Sequence, residues 1–368
     1  MKYHTIQEGH TKKFLTIGND NTIQHTFLSD EKEKISKIKS KIDTHSSKLW
    51  DNSKKHNNEY EYIYTSSKIE KNISSIIPVS RSYFKLYEII HDFKLLETDY
   101  NITNCCCIAE GPGGFIHCLN DYSEKNNKNI QTYGITLISK SKKVPYWNQS
   151  IIKDKNNHLC FGEDGTGDIY KLKNIEYFLR SIPHKCHLIT ADGGFDYSTN
   201  YNQQEEDSYK LLFCEVFIAL QKQSYNGHFI IKVFDIFHRV TIQLLYFLYL
   251  SYEKIIIYKP STSRMSNSEK YIVCMGYKSD SIEIIKTMKN YFTNCNELLI
   301  KIPALFLKEL SIYNKLFLIN QIDNIEKVLS LPKEIHSPTS NQLTKAIEWC
   351  DKYLIEINDK CIYHLSFN

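Results

Sequence analysis

The chain has 368 residues, 42% of them hydrophobic, enough for one large core or two modest ones in a globular protein. Basic residues outnumber acidic ones by 46 to 42, giving a net charge of +4 and a pI near 8.3, which suits nucleic acid without being diagnostic of it. No apolar run reaches membrane-spanning length, the polar start M-K-Y-H-T-I-Q-E-G-H lacks a secretion-signal core, and the 11 cysteines include no C-x-x-C pair, so an intracellular protein with reduced thiols and no structural zinc is expected.

Residues 1–75 read as a polar, lysine-rich extension. In E-K-E-K-I-S-K-I-K-S-K-I-D, Ile35, Ile38 and Ile42 recur at helical intervals and predict an amphipathic helix, followed by a loop around Asp51 to Glu61. Over residues 76–280 helix-like and strand-like segments alternate, the pattern of an α/β sheet with helices on both faces. Strands are predicted at Asn104–Ala109, Thr132–Leu137, His187–Ala191, His228–Phe234, Lys254–Tyr258 and Tyr271–Gly276. Helices are predicted at Ser80–Leu96, Phe115–Tyr122, Asp168–Arg180, Gln204–Gln223 and Thr241–Leu250. Residues 281–368 read as a mainly helical extension, in which Leu343, Ile347, Trp349 and Leu354 would share one packed face of a helix over Ser340–Ile357.

Between the first of these strands and the next helix the chain reads C-C-C-I-A-E-G-P-G-G-F-I-H-C. A strand, a glycine turn and a helix in that order let backbone amides approach a nucleotide-like ligand without side-chain obstruction, so a cofactor pocket is expected here. Four charged residues stand where an unpartnered charge is costly: Lys85 in S-Y-F-K-L-Y, Asp192 after H-L-I-T-A, Lys232 inside F-I-I-K-V-F, and Glu269 before K-Y-I-V-C. A lysine grouped with a second lysine and two acids can have its pKa lowered and act as a general base, the role expected of Lys232.

These segments resemble the FtsJ/RrmJ-type ribose 2'-O-methyltransferases, whose tetrad reads Lys-Asp-Lys-Glu in chain order. The stretches K-V-F-D-I-F and K-P-S-T-S-R-M-S-N-S-E-K-Y-I-V-C-M-G are most similar to the eukaryotic and viral mRNA cap 2'-O-methyltransferase branch, and the likeness covers about Ser80 to Tyr277. The resemblance implies a Rossmann-like, S-adenosyl-L-methionine-dependent sheet, mostly parallel with one antiparallel strand. It implies a catalytic set of Lys85, Asp192, Lys232 and Glu269, with Asp192 and Lys85 holding and tuning Lys232 and Glu269 orienting Lys85 or the hydroxyl. Glu110, Gly111, Gly113, Gly114 and Phe115 would approach the cofactor's methionine portion.

Asp168 in G-E-D-G-T-G-D-I-Y matches the family's adenine-contacting aspartate, with Asp164 as the alternative, and an N-cap suits Asp168 equally well. Where many relatives carry a ribose-binding acid this chain reads Y-G-I-T-L-I-S, leaving Thr136 or Ser139 for that contact. Arg264, Ser266 and Asn267 are expected at the substrate's ribose or phosphate, with Arg81 and Lys259 as weaker phosphate candidates. The implied substrate is RNA, foremost the 5' end of capped mRNA, with ribosomal or transfer RNA methylation and a silent RNA-binding subunit as alternatives. Other capping or transcription proteins are the implied partners, no membrane is, and the expected location is cytoplasm or nucleus, or a virion or viral factory for a viral source. The histidines near these segments, His117, His184, His187, His228 and His238, follow no metal-ligand spacing, and no metal is expected.

Overall fold

A computed structural model describes residues 3–6, 27–97, 100–141, 143–195, 200–278, 281–332 and 337–363; the polar start of the chain lies largely outside them. Among the described residues, eight strands form one sheet in the order β1-β7-β8-β6-β5-β2-β3-β4. They are β1 (Tyr3–Ile6), β2 (Thr103–Ile108), β3 (Ile130–Ile135), β4 (Asn157–Cys160), β5 (Cys186–Ala191), β6 (Gln223–Val233), β7 (Tyr252–Tyr258) and β8 (Lys270–Tyr277). Neighbours from β4 through β3, β2 and β5 to β6 are parallel, while β8 runs antiparallel between β6 and β7. The expected single antiparallel strand within residues 76–280 is therefore β8. The N-terminal segment adds a further antiparallel edge strand, β1, against β7.

Strand alternation divides the sheet between two apolar layers. Cys106, Ile108, Phe229 and Ile231 point into one layer, under α6 (Leu172–Ser181), α7 (Gln204–Lys222), α8 (Arg239–Ser251) and α9 (Ile282–Asn290). Cys105, Cys107 and Ile230 point into the other, under α3 (Ser82–Phe93), α4 (Gly114–Lys125) and α11 (Ser340–Lys352). The cysteine triplet thus behaves as small buried hydrophobes.

The extensions pack on each other as well as on the sheet. Ile35 and Ile42 from α1 (Ser29–Ser40) and its end join Trp50 of α2 (Ser47–Asn57) against Leu318, Ile325 and Val328 of α10 (Ala304–Ser330). The loop expected around Asp51 to Glu61 is thus half helix, capped by Ser46, whose side chain accepts from the Leu49 N–H. Leu354 departs further from expectation. The last helix stops at Lys352, Leu354 turns to φ 53°, and its side chain is 88% exposed instead of sharing the buried face of Leu343 and Trp349.

The chain leaves β2 to build β3 and β4 on one side, then returns to build β5 on the other. The carboxyl ends of β2 and β5 therefore flank a topological switch point, the crevice where open α/β sheets bind ligands.

Candidate active site

Four strand and helix ends bring the tetrad together. Asp192 follows β5, Lys232 lies next to last in β6, Glu269 precedes β8, and Lys85 is on the first turn of α3. The Lys232 ammonium is 3.2 Å from the Asp192 carboxylate and donates to the Asp192 carbonyl at 2.8 Å. Lys85 and Glu269 form a second pair at 2.6 Å. All four side chains are at most 14% exposed, so screening by water is slight and the pairs feel each other.

Their charge states follow from that closeness. Burial penalises the Glu269 carboxylate, but Lys85, Lys232 and Lys259 outweigh it and bring its pKa down to about 2. Burial alone would push the Lys232 ammonium down, yet Asp192, Glu269 and Glu215 outweigh it and leave its pKa above the ordinary lysine value. This corrects the expectation of a lowered Lys232 in the free chain. The lysine that is lowered, to about 7, is Lys259, chiefly by burial and despite Glu269.

Further residues hold the tetrad in place. The Tyr271 hydroxyl, across from Lys232 in the β6–β8 register, donates to Asp192 at 2.8 Å. The Ser263 hydroxyl donates to Glu269 at 2.7 Å. Glu88, one turn beyond Lys85 on α3 and fully buried, accepts from the N–H groups of Ser261 and Thr262, the Tyr258 and Thr262 hydroxyls and the Trp349 indole. Sequence reasoning missed Tyr271, Ser263 and Glu88; the signal for the last was an acid inside an apolar helix, F-K-L-Y-E-I-I.

At the end of β2 the turn is braced by protein. The Gly111 N–H donates to the Thr136 hydroxyl at 3.0 Å, so Thr136 braces the turn. Gly113 has φ 108°, and a Cβ there would sit 2.8 Å from Ile151. A Cβ on Gly114 would meet the Ser80 and Ser82 hydroxyls, and Phe115 is fully buried. The glycines therefore serve close packing as much as ligand approach. Glu110 is buried and accepts from the Thr190 hydroxyl at 2.7 Å; burial first, then Asp192, push its carboxyl well up.

The 161–168 loop is drawn over the end of β3. Ile138 donates to the Thr166 carbonyl at 2.7 Å, and Gly167, at φ 62°, lies so close that a Cβ would be 1.8 Å from the Thr136 carbonyl oxygen. Asp164 is occupied by the Thr166 N–H and hydroxyl, the Asn174 amide and the Lys171 ammonium. Asp168 uses Oδ1 to accept from the Tyr170 N–H at 2.9 Å, while Oδ2 is 4.0 Å from Lys171. The capping reading of Asp168 is not met, because α6 starts only at Leu172 with Lys171 at its N-cap position and no side-chain cap; the Asp168 bond closes a turn ahead of the helix, and Asp168 keeps more accepting capacity than Asp164.

The expected substrate contacts go elsewhere in this structure. Arg264 makes a bidentate pair with the buried Glu61 at 2.7 and 3.0 Å. Arg81 donates to the Tyr64 and Thr262 carbonyls and lies 3.5 Å from Glu61. The Asn267 carbonyl and side-chain oxygen both accept from Lys259, and Ser266 is buried beneath Gln321. These polar groups tie the loop before β8 to the N-terminal extension, and burying them unpaired would be costly.

A strand-end crevice with a glycine turn and paired charges at the switch point defines a Rossmann-like enzyme of the nucleotide-cofactor type. More narrowly, the chain belongs to the FtsJ-like methyltransferase family, whose model matches residues 78–277, more than half its length. It is 28% identical over 331 residues to a cap-specific mRNA (nucleoside-2'-O-)-methyltransferase 2 of Drosophila melanogaster, covering 82% of this chain and 46% of that protein. It is 43% identical over 178 residues to the corresponding methyltransferase 1 of Bos taurus, covering 46% of this chain and 21% of that protein. The methyltransferase 1 of Trypanosoma cruzi is 36% identical over 172 residues, 46% of this chain and 47% of that protein. The chain thus spans less than half the length of these relatives.

Proposed function

We propose that the protein is an S-adenosyl-L-methionine-dependent RNA ribose 2'-O-methyltransferase acting on the first transcribed nucleotides of capped mRNA. The observation that carries this reading is Lys232, buried at a strand end between the Asp192 carboxylate and the Lys85–Glu269 pair. The relatives' names favour the cap-proximal substrate within it.

The donor set at the strand ends fits the cofactor. N–H groups of the first turn of α4, at Gly114 and Phe115, have no partner within the helix and suit a carboxylate. Asp168 suits an exocyclic amine, and Leu137 and Phe161, both well exposed on the two segments flanking it, suit the faces of a purine. When bound, the cofactor supplies an electrophilic methyl group on a cationic sulfur, whose charge also disfavours an ammonium at Lys232.

The chain's own residues do the rest. Lys232 takes the proton of the ribose 2'-hydroxyl, and Asp192, held by Tyr271, keeps its amine aimed. Glu269 fixes Lys85, which leaves the Lys85 ammonium to hold the hydroxyl oxygen near Lys232.

The test is incubation with labelled S-adenosylmethionine and matched capped and uncapped short RNAs, followed by nuclease digestion. The expected label is on 2'-oxygens next to the cap. Label on a base refutes the ribose reading, and equal labelling of uncapped RNA refutes the cap-directed one.

A further inference from the structure

A third carboxyl stands behind Lys232. Glu215 sits in L-L-F-C-E-V-F-I-A-L of α7, an apolar run in which an acid without a task costs several kcal/mol. It is 2% exposed, and its Oε1 has no hydrogen-bond partner. That oxygen points toward the segment carrying Asp192, since a Cβ on Gly193 would lie 2.4 Å from it. Glu215 and Lys232 line one internal cavity together with Gly193, Phe234 and Asp235.

The groups facing Glu215 come from every element around it. Lys232 comes from β6 and Asp235 from the segment just after it, Asp192 from just beyond β5 and Glu110 from just beyond β2, with Glu205 across the cavity on its own helix. Acids predominate there, and Lys232 is a nearby cation. Asp192 and Glu269 already pair with lysines, so Glu215 is the buried acid whose charge is least fixed by a partner.

We propose that Glu215 is a positioning residue for Lys232, whose carboxyl decides by its own ionisation how firmly the Lys232 ammonium keeps its proton. The proposal rests on the reading of Lys232 as proton acceptor. Burial first, then Asp192, push Glu215 up to about 8, against Lys232 and the Gly193 N–H. Below that pH the carboxyl is neutral and Lys232 faces fewer negative charges. Above it the added charge holds the ammonium more tightly and opposes proton removal.

Two measurements on the full chain test this, with E215Q as a neutral group of the same shape and E215D as a titratable one. In an NMR titration of the Lys232 side chain without ligand, E215Q should lower the midpoint by on the order of one pH unit, and E215D should not. In the methyl-transfer assay the ratio of kcat for E215Q to that for wild type should rise about tenfold between about pH 7 and pH 9.5, while the E215D ratio stays flat. An unchanged Lys232 midpoint in E215Q overturns the proposal whatever the activity, and so does a flat E215Q ratio, even below one, because that is a structural defect alone. K232A in the same assay separates the two readings. Turnover without Lys232 sinks the base assignment, whereas an inactive K232A beside a flat E215Q ratio sinks only the role of Glu215.

Discussion

Replacing Glu269 by glutamine removes one charge while keeping the size of the side chain. In the wild type that carboxylate is brought from 4.5 down to about 2, opposed by burial and favoured by Lys85, Lys232 and Lys259. A depressed acid stabilises the fold above its unfolded pKa, and the gain disappears as pH falls through the folded value. A carboxylate held down that far is worth about 3 kcal/mol at neutral pH. It should be fully present above about pH 5, shrink to about half near pH 3 and be gone below about pH 2. Urea unfolding of both proteins at several pH values reads this directly as a wild-type advantage that narrows with acid. A gap that stays constant from pH 7 to pH 3 would show that the lysines do not hold Glu269 ionised, and the two-pair description of the site would fail.

Lys232→Ala should lower kcat for methyl transfer by at least about 100-fold while calorimetry finds cofactor affinity within a few-fold of wild type; retained turnover excludes Lys232 as the base. Gly113→Val forces a branched side chain into φ 108° and against Ile151, so thermal unfolding should report a loss of about 2 kcal/mol along with weakened cofactor binding. Lost affinity at unchanged Tm would make ligand contact, not packing, the reason for that glycine. Asp168→Ala should weaken cofactor binding about tenfold, about 1.4 kcal/mol, in the same calorimetry. Unaltered affinity would move the adenine contact elsewhere.

The six strands of the central sheet were legible because apolar runs bounded by turn residues leave little choice, and five helices followed from the spacing between them. β4 was not legible: Asn157–Cys160 is four residues with one aliphatic side chain, and it is a strand because β3 offers it a parallel partner. The tetrad was legible because charge inside an apolar run demands a partner, and Lys232 in F-I-I-K-V-F makes that demand openly. The same signal at Glu88 and Glu215 was present and went unread. Arg81 and Arg264 look like phosphate ligands in sequence, but Glu61, distant from Arg264 along the chain, turns both inward. The sign of the Lys232 shift was out of reach for another reason: burial and neighbouring acids push in opposite directions, and only distances say which prevails.

Glu88 gives the C-terminal extension a stake in the chemistry. One carboxylate receives the indole of Trp349 from α11 and the backbone of the loop leading to Glu269, and it rides on the helix that carries Lys85. The last helix is accordingly a keystone and not an appendage. Trimming it would strip a donor from that carboxylate, so residues 78–277 on their own should hold the Lys85–Glu269 pair less firmly than the chain that encloses them.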